Sequence, residues 1–267
     1  EMCIRDRDRD TNDWFLGREK TYKFLRERSY VFGCYQWAAV EHRGEAAWPR
    51  VCSCSGALDL FLQKKGAFYQ NKSHWSAEPM AHIVPHWNFK GLAGKEIPVT
   101  VYTNCEELEL FLNGKTLGKQ QIEKYGHGEW SVEYIPGTLE VKGYIGGNEV
   151  CGDKRVTTGR PAALKLTQDN DFTANGSDIA LFTCECVDEN GLTVPDAAEY
   201  VRFSVSAPAK IIGTGSDNCD HNNVANTERK MYMGKIRVAV KPKKGQESFT
   251  LTAMSDNCGV CELKVVL

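Results

Sequence analysis

No stretch of the chain approaches the 18 or more uninterrupted apolar residues that a membrane-spanning helix needs, although hydrophobic residues make up 42% of its 267 positions. A membrane is therefore not an expected partner. An excess of either charge is also missing: 33 Lys and Arg stand against 35 Asp and Glu, a formal net charge of -2. That balance leaves no electrostatic footprint for nucleic acid. No basic start followed by an apolar stretch opens the chain in the manner of a secretory signal. The 11 cysteines form an odd set, so a complete disulfide framework is not expected, and free thiols point to a reducing, cytoplasmic setting. Cys52 with Cys54, and Cys184 with Cys186, have the spacing that places both thiols on one face of a strand. Cys258-Gly-Val-Cys261 has the gap used in zinc knuckles and redox sites. A second such pair at ligand spacing is missing, and small buried thiols are the simpler reading.

A chain of this length predicts two domains, or three small ones. The first ten residues alternate Arg and Asp without an apolar period, so residues 1–11 read as an artefact or a foreign leader. From Trp14 to Arg28 apolar residues recur at helical spacing after a cap at Thr11 to Asp13. Tyr30 to Trp37 is an almost unbroken apolar and aromatic run, the pattern of a parallel strand buried on both faces. A loop with Gly44 and Pro49 leads to a second helical pattern over Ala57 to Tyr69. Helix, strand, loop and helix form the grammar of an α/β fold.

Past Gly91 short alternating segments replace helices: Pro98 to Thr103, Glu107 to Leu112, Trp130 to Tyr134 and Leu139 to Ile145, with the hairpin signal Asn113-Gly114 between. After a linker at Thr158 to Pro161 the rhythm returns in Leu181 to Val187, Tyr200 to Val205, Ile236 to Val240 and Phe249 to Ala253. The expected fold is mainly β, with an α/β remnant over 12–90 and two antiparallel sandwiches over 91–157 and 158–267. The remnant is too small to be a complete α/β domain.

Gly33-Cys-Tyr-Gln-Trp37-Ala-Ala-Val-Glu41-His-Arg43-Gly44-Glu45, followed by Trp48-Pro49, resembles the last barrel strand and following loop of glycoside hydrolase family 2 enzymes of the β-galactosidase type. The likeness continues through Ser73-His-Trp75, His82-Ile-Val-Pro-His86-Trp-Asn88, Val101-Tyr-Thr-Asn104 and Leu108 to Gly118, and more weakly to Gly213-Thr-Gly215. It implies the last β/α unit of an incomplete (β/α)8 barrel followed by two immunoglobulin-like sandwiches. It also implies retaining hydrolysis of β-linked terminal sugars by two carboxylates about 5 to 5.5 Å apart. In the family both glutamates come from earlier barrel strands, so no catalytic residue is expected in this chain, and the chain alone is expected to be inactive. Its partners are then a β-galactoside or related β-glycoside and an N-terminal part of the same protein; no cofactor and no metal are called for.

Trp37, at the C-terminal end of the expected barrel strand, falls where an indole can stack on a sugar; the alternative is an ordinary core tryptophan. Glu41 stands where the family has Asp and is a second expected sugar contact. Arg43 and Glu45 are expected to brace the loop by charge-assisted hydrogen bonds. His82 and His86 have helical metal-site spacing, but Pro85 between them argues for packing of barrel against sandwich. Gly213-Thr-Gly215-Ser-Asp217 lacks the Lys of a phosphate loop, and its acidic and amide groups leave calcium as the alternative. A non-catalytic carbohydrate-binding or interaction module, built on the two sandwiches, is the alternative function; a row of exposed aromatics on one sheet face would favour it.

Overall fold

The structure, a computed structural model, describes residues 12–267, so the expected leader over 1–11 and the cap residue Thr11 lie outside the described residues. Strand far outweighs helix among the described residues, which makes the fold mainly β. The chain divides into two compact units. One comprises residues up to Ala47 and Cys52–Thr157; the other comprises Trp48–Val51 and Thr158–Leu267.

In the first unit helix α1 (Asn12–Arg26) and helix α2 (Gly66–Trp75) precede strands β1 (Ala81–Val84), β2 (Glu96–Thr103), β3 (Glu107–Leu112), β4 (Lys115–Gln121), β5 (His127–Glu133), β6 (Thr138–Ile145) and β7 (Asn148–Val156). These strands form two antiparallel sheets, ordered β1-β2-β5 and β4-β3-β6-β7. Alternate residues of β3 and β6 turn inward, and Leu108, Leu110, Leu139 and Val141 meet Ile83, Val99, Val101 and Val132 of the facing sheet in one core. Period-two alternation thus builds a sandwich by burying one face of each sheet. Asn113 and Gly114 both take positive φ, 51° and 79°, as the two-residue turn joining β3 to β4 requires. β1 pairs with β2 from Ala81↔Thr103 to Val84↔Thr100, so the first sandwich begins ten residues before the change of pattern near Gly91.

Two sequence expectations fail in the α/β segment. Tyr30 to Trp37 forms no strand, and Tyr30, Phe32 and Tyr35 are almost fully exposed. A strand is made by its neighbours' hydrogen bonds, and none of the described residues supplies a partner strand here. The second helix starts at Gly66, not Ala57, because residues 57–65 are held in a turn. The Asp59 carboxylate accepts the amides of Phe61 and Gln63 at 2.8 and 2.9 Å, Leu62 takes φ 61°, and Lys65 N–H donates to Ala57 O. Aspartate competing for backbone donors defeats the helical pattern.

In the second unit β8 (Ala163–Gln168), β9 (Ala180–Val187), β10 (Tyr200–Val205), β11 (Lys210–Gly215), β12 (Glu228–Lys230), β13 (Lys235–Lys241), β14 (Ser248–Ser255) and β15 (Gly259–Val266) form two four-stranded antiparallel sheets, ordered β12-β10-β14-β15 and β11-β13-β9-β8. Phe182, Ile236 and Val238 from one face Phe203, Phe249 and Leu251 from the other in a single core.

Helix α1 is fastened to β5 by Glu19 and His127, whose carboxylate and Nδ1 lie 2.6 Å apart. Burial disfavours both charges, yet the hydrogen bond and mutual attraction win: the imidazole is raised above its ordinary 6.5 and the carboxyl is lowered below its ordinary 4.5. A raised histidine stabilises fully below its ordinary value and loses that contribution as pH rises through the folded value; a lowered carboxylate stabilises above its ordinary value and loses it in acid. The pair therefore contributes most between about pH 4.5 and 6.5. We expect His127→Gln to cost on the order of 1–2 kcal/mol near pH 5.5 and progressively less toward pH 9. Urea midpoints of both proteins across this range check it, and a pH-independent difference would contradict it.

Candidate functional site

The segment carrying Trp37 is pinned from both helices. Tyr22 of α1 is buried and its hydroxyl donates to Asn71 Oδ1 of α2 at 3.0 Å; the Asn71 amide donates to Gln36 Oε1 at 2.5 Å. Burial, helped by Cys34 nearby, pushes the Tyr22 hydroxyl up to about 12, so it remains a donor through the neutral range. Beyond Gln36 the backbone is stitched to residues 55–58. Ala38 N–H donates to Ser55 O at 3.2 Å, Leu58 N–H to Ala39 O at 2.9 Å and Glu41 N–H to Leu58 O at 2.9 Å. Trp37 projects from this fixed backbone with 71% of its surface exposed. The Trp37–Ala38 peptide is cis. The indole lies edge-to-face with His42, at 5.6 Å between ring centres, and borders a cavity of about 300 Å³ walled by Arg18, Tyr22, Tyr35, Gln36 and Ser55. An open indole on a rigid support is what stacking against a sugar ring requires.

Glu41 is placed differently from the sugar contact expected of it. Its side chain is enclosed, one carboxylate oxygen paired with the Lys65 ammonium and the other accepting from the Cys52 thiol at 3.3 Å. Lys65 is equally enclosed and also donates to Cys54 O at 3.2 Å. A sugar hydroxyl could reach Glu41 only by displacing these groups, so the geometry gives Glu41 a structural role. Lys65 escaped sequence reasoning. A lysine inside an apolar pattern needs a buried anion, and that requirement was the available signal.

The expected brace between Arg43 and Glu45 is not formed among the described residues. Gly44 and Glu45 both take positive φ, 95° and 49°, and this turn brings the Glu45 carboxylate 3.5 Å from His42 Nε2. His42 is fixed by Ser53, whose hydroxyl lies 3.2 Å from the ring Nδ1 and accepts the His42 amide. Arg43 is exposed, tied by its backbone bridge to Cys52. His42 thus takes the loop-bracing place that the charge pattern suggested for Arg43.

His82 and His86 diverge. His82 stacks on Tyr69 and lies against Arg155 and Asp153, and burial, reinforced by Arg155, pushes its imidazole down to about 2. The His86 ring accepts the Asn88 amide at 3.1 Å and stacks on Phe89. Both serve packing within the first unit. Among the described residues no three His, Cys, Asp or Glu side chains are grouped to hold a metal ion. Cys258 of the CxxC faces Cys186, sulfur to sulfur at 3.7 Å, and the Asp217 carboxylate accepts the Cys219 amide. No helix among the described residues is long and apolar enough to cross a membrane.

Residues 164–264 match glycoside hydrolase family 2 C-terminal domain 5, and residues 94–151 match a domain of unknown function. A beta-galactosidase of Bacteroides ovatus is 32% identical over 94% of this chain, and a beta-glucuronidase of Formosa agariphila is 31% identical over 93%. The solved structure of a glycosyl hydrolase family 2 member from Bacteroides cellulosilyticus superposes with a TM-score of 0.86 over 94% of the chain at 29% identity, the matched part being 36% of that structure. The chain belongs to glycoside hydrolase family 2 and corresponds to its C-terminal part. It spans 30% and 27% of the two curated relatives.

Proposed function

We propose that this chain forms the C-terminal wall of a retaining β-glycosidase active site, acting on a terminal β-linked sugar of the β-galactoside class. Trp37 supplies the stacking platform, and the acid/base and nucleophile come from polypeptide outside this chain. The carrying observation is the open, rigidly supported indole of Trp37 beside its cavity. Residues 12–79 are read as the final β/α unit of a (β/α)8 barrel. In that reading barrel neighbours would cover the exposed Tyr30, Phe32 and Tyr35, while Trp37, at the C-terminal end of the strand, would face the site. The two sandwiches are read as immunoglobulin-like supports. A carbohydrate-binding role for them gains no support from their strands, where Tyr200 is the sole strongly exposed aromatic among the described residues.

Retaining hydrolysis needs two carboxylates free to face the sugar. Here Glu41 is committed to Lys65, and Glu45 is an exposed partner of His42. We therefore expect the purified chain to release no aglycone from aryl β-galactosides or aryl β-glucuronides. Turnover that vanishes on Glu45→Gln would place the catalytic machinery in this chain and overturn the proposal.

A further inference from the structure

Two cysteines face each other across a strand of the first sandwich. Cys105 lies just before β3 and Cys151 on β7; between them runs β6, where Gly143 is paired with Cys151. The sulfurs are 3.3 Å apart. Gly143 permits this approach, since a Cβ there would stand 2.8 Å from each sulfur. The two thiols occupy the space that a side chain on β6 would fill.

We propose that Cys105 and Cys151 are a modification site: a thiol pair that a hydroperoxide converts to a disulfide, clamping the entry of β3 to β7 across β6. Closing the bond needs the sulfurs to approach by roughly 1.3 Å, within the reach of side-chain rotation. Although Cys105 is only 4% exposed, it lines a cavity of about 680 Å³, shared with Asn104, Glu106 and Tyr125, through which a small peroxide can enter. The hydrogen bond shared with Cys151, aided by Thr103, pushes the Cys105 thiol down to about 6 against the effect of burial. The Cys151 thiol is pushed up by the same contact and by burial. Cys105 is accordingly the thiolate and Cys151 the proton-bearing partner.

In the first step the Cys105 thiolate attacks the peroxide. A sulfur–oxygen bond forms, the oxygen–oxygen bond breaks, and the departing hydroxide takes up a proton to become water. In the second, Cys151 sulfur attacks the Cys105 sulfenic acid. The sulfur–sulfur bond forms, the sulfur–oxygen bond breaks, and the Cys151 proton leaves with the hydroxyl as water. Two thiols lose two electrons and one peroxide becomes two waters. Cys186 and Cys258 form an internal control: they are 3.7 Å apart, both are buried, and burial foremost pushes the Cys186 thiol up to about 12. A protonated, enclosed thiol reacts slowly.

The test treats the full chain with hydrogen peroxide, quenches with catalase, alkylates under denaturing conditions and maps tryptic peptides. The expected product joins residues 96–115 to 143–154, lighter by two hydrogens than the separate thiol peptides and split by dithiothreitol. The oxidised chain should melt about 5 °C higher than the reduced one. Cys151→Ser should abolish the linked peptide and leave Cys105 as a sulfenic acid that dimedone traps. Recovery of Cys105 and Cys151 both alkylated, after the exposed Cys34 has been oxidised, would overturn the proposal. Linkage of Cys105 to any other cysteine would overturn it equally.

Discussion

Lys65→Met should lower the unfolding free energy of the first unit by about 3–5 kcal/mol, the cost of leaving one member of a buried ion pair without its partner. Both side chains are essentially sealed from solvent, so water cannot replace the lost ammonium, and the Glu41 carboxylate loses the cation that faces it. Glu41→Gln should destabilise by a similar amount through the stranded lysine. The double replacement Glu41→Met with Lys65→Met should cost less than either single change, because no charge is then left in the interior. Urea denaturation, followed by hydrogen exchange of the Leu58 and Glu41 amides that bond to Ala39 O and Leu58 O, separates the first unit from the second. Single-mutant losses under about 1 kcal/mol, the scale of an exposed pair, would show that solvent reaches this site.

Of the strands legible in the sequence, all but β5, an edge strand read over Trp130 to Tyr134, have two neighbours. β2, β3, β6, β9, β10, β13 and β14 are interior to their sheets, and their alternation follows from one face being buried, as in the buried–half-buried repeat of β3. β4 and β7 are sheet edges with little buried surface, so polar residues fill them and no period survives; the edge strand β15 exposes even its apolar Val260 and Val266. Tyr30 to Trp37 fails for the opposite reason. Its apolar run has no partner strand among the described residues. At the candidate site the motif singles out Trp37, whereas the Glu41–Lys65 pair was not legible, since 24 residues separate partners that the turn at Asp59 brings together.

In the complete polypeptide Trp37→Phe should reduce kcat/KM by about 10- to 100-fold while leaving the melting temperature nearly unchanged. Phenylalanine keeps a ring but loses the larger indole surface and its N–H, worth together about 1.5–3 kcal/mol at a sugar-contacting position. Part of the loss should fall on kcat, because distortion of the sugar toward its oxocarbenium-like transition state draws on contacts to the reacting ring. The stability cost should be small, since the described structure leaves the indole largely uncovered and anchors the backbone through Gln36 and Ala38.

Measuring kcat, KM and thermal stability on that one substitution tests most directly whether this chain builds a wall of the sugar site. The structure predicts a clear loss in kcat/KM with a melting temperature within about 2 °C of the unmodified protein, less than about 1 kcal/mol would produce. A fall in melting temperature with kcat/KM unchanged would make Trp37 a packing residue and contradict its assignment to the active site.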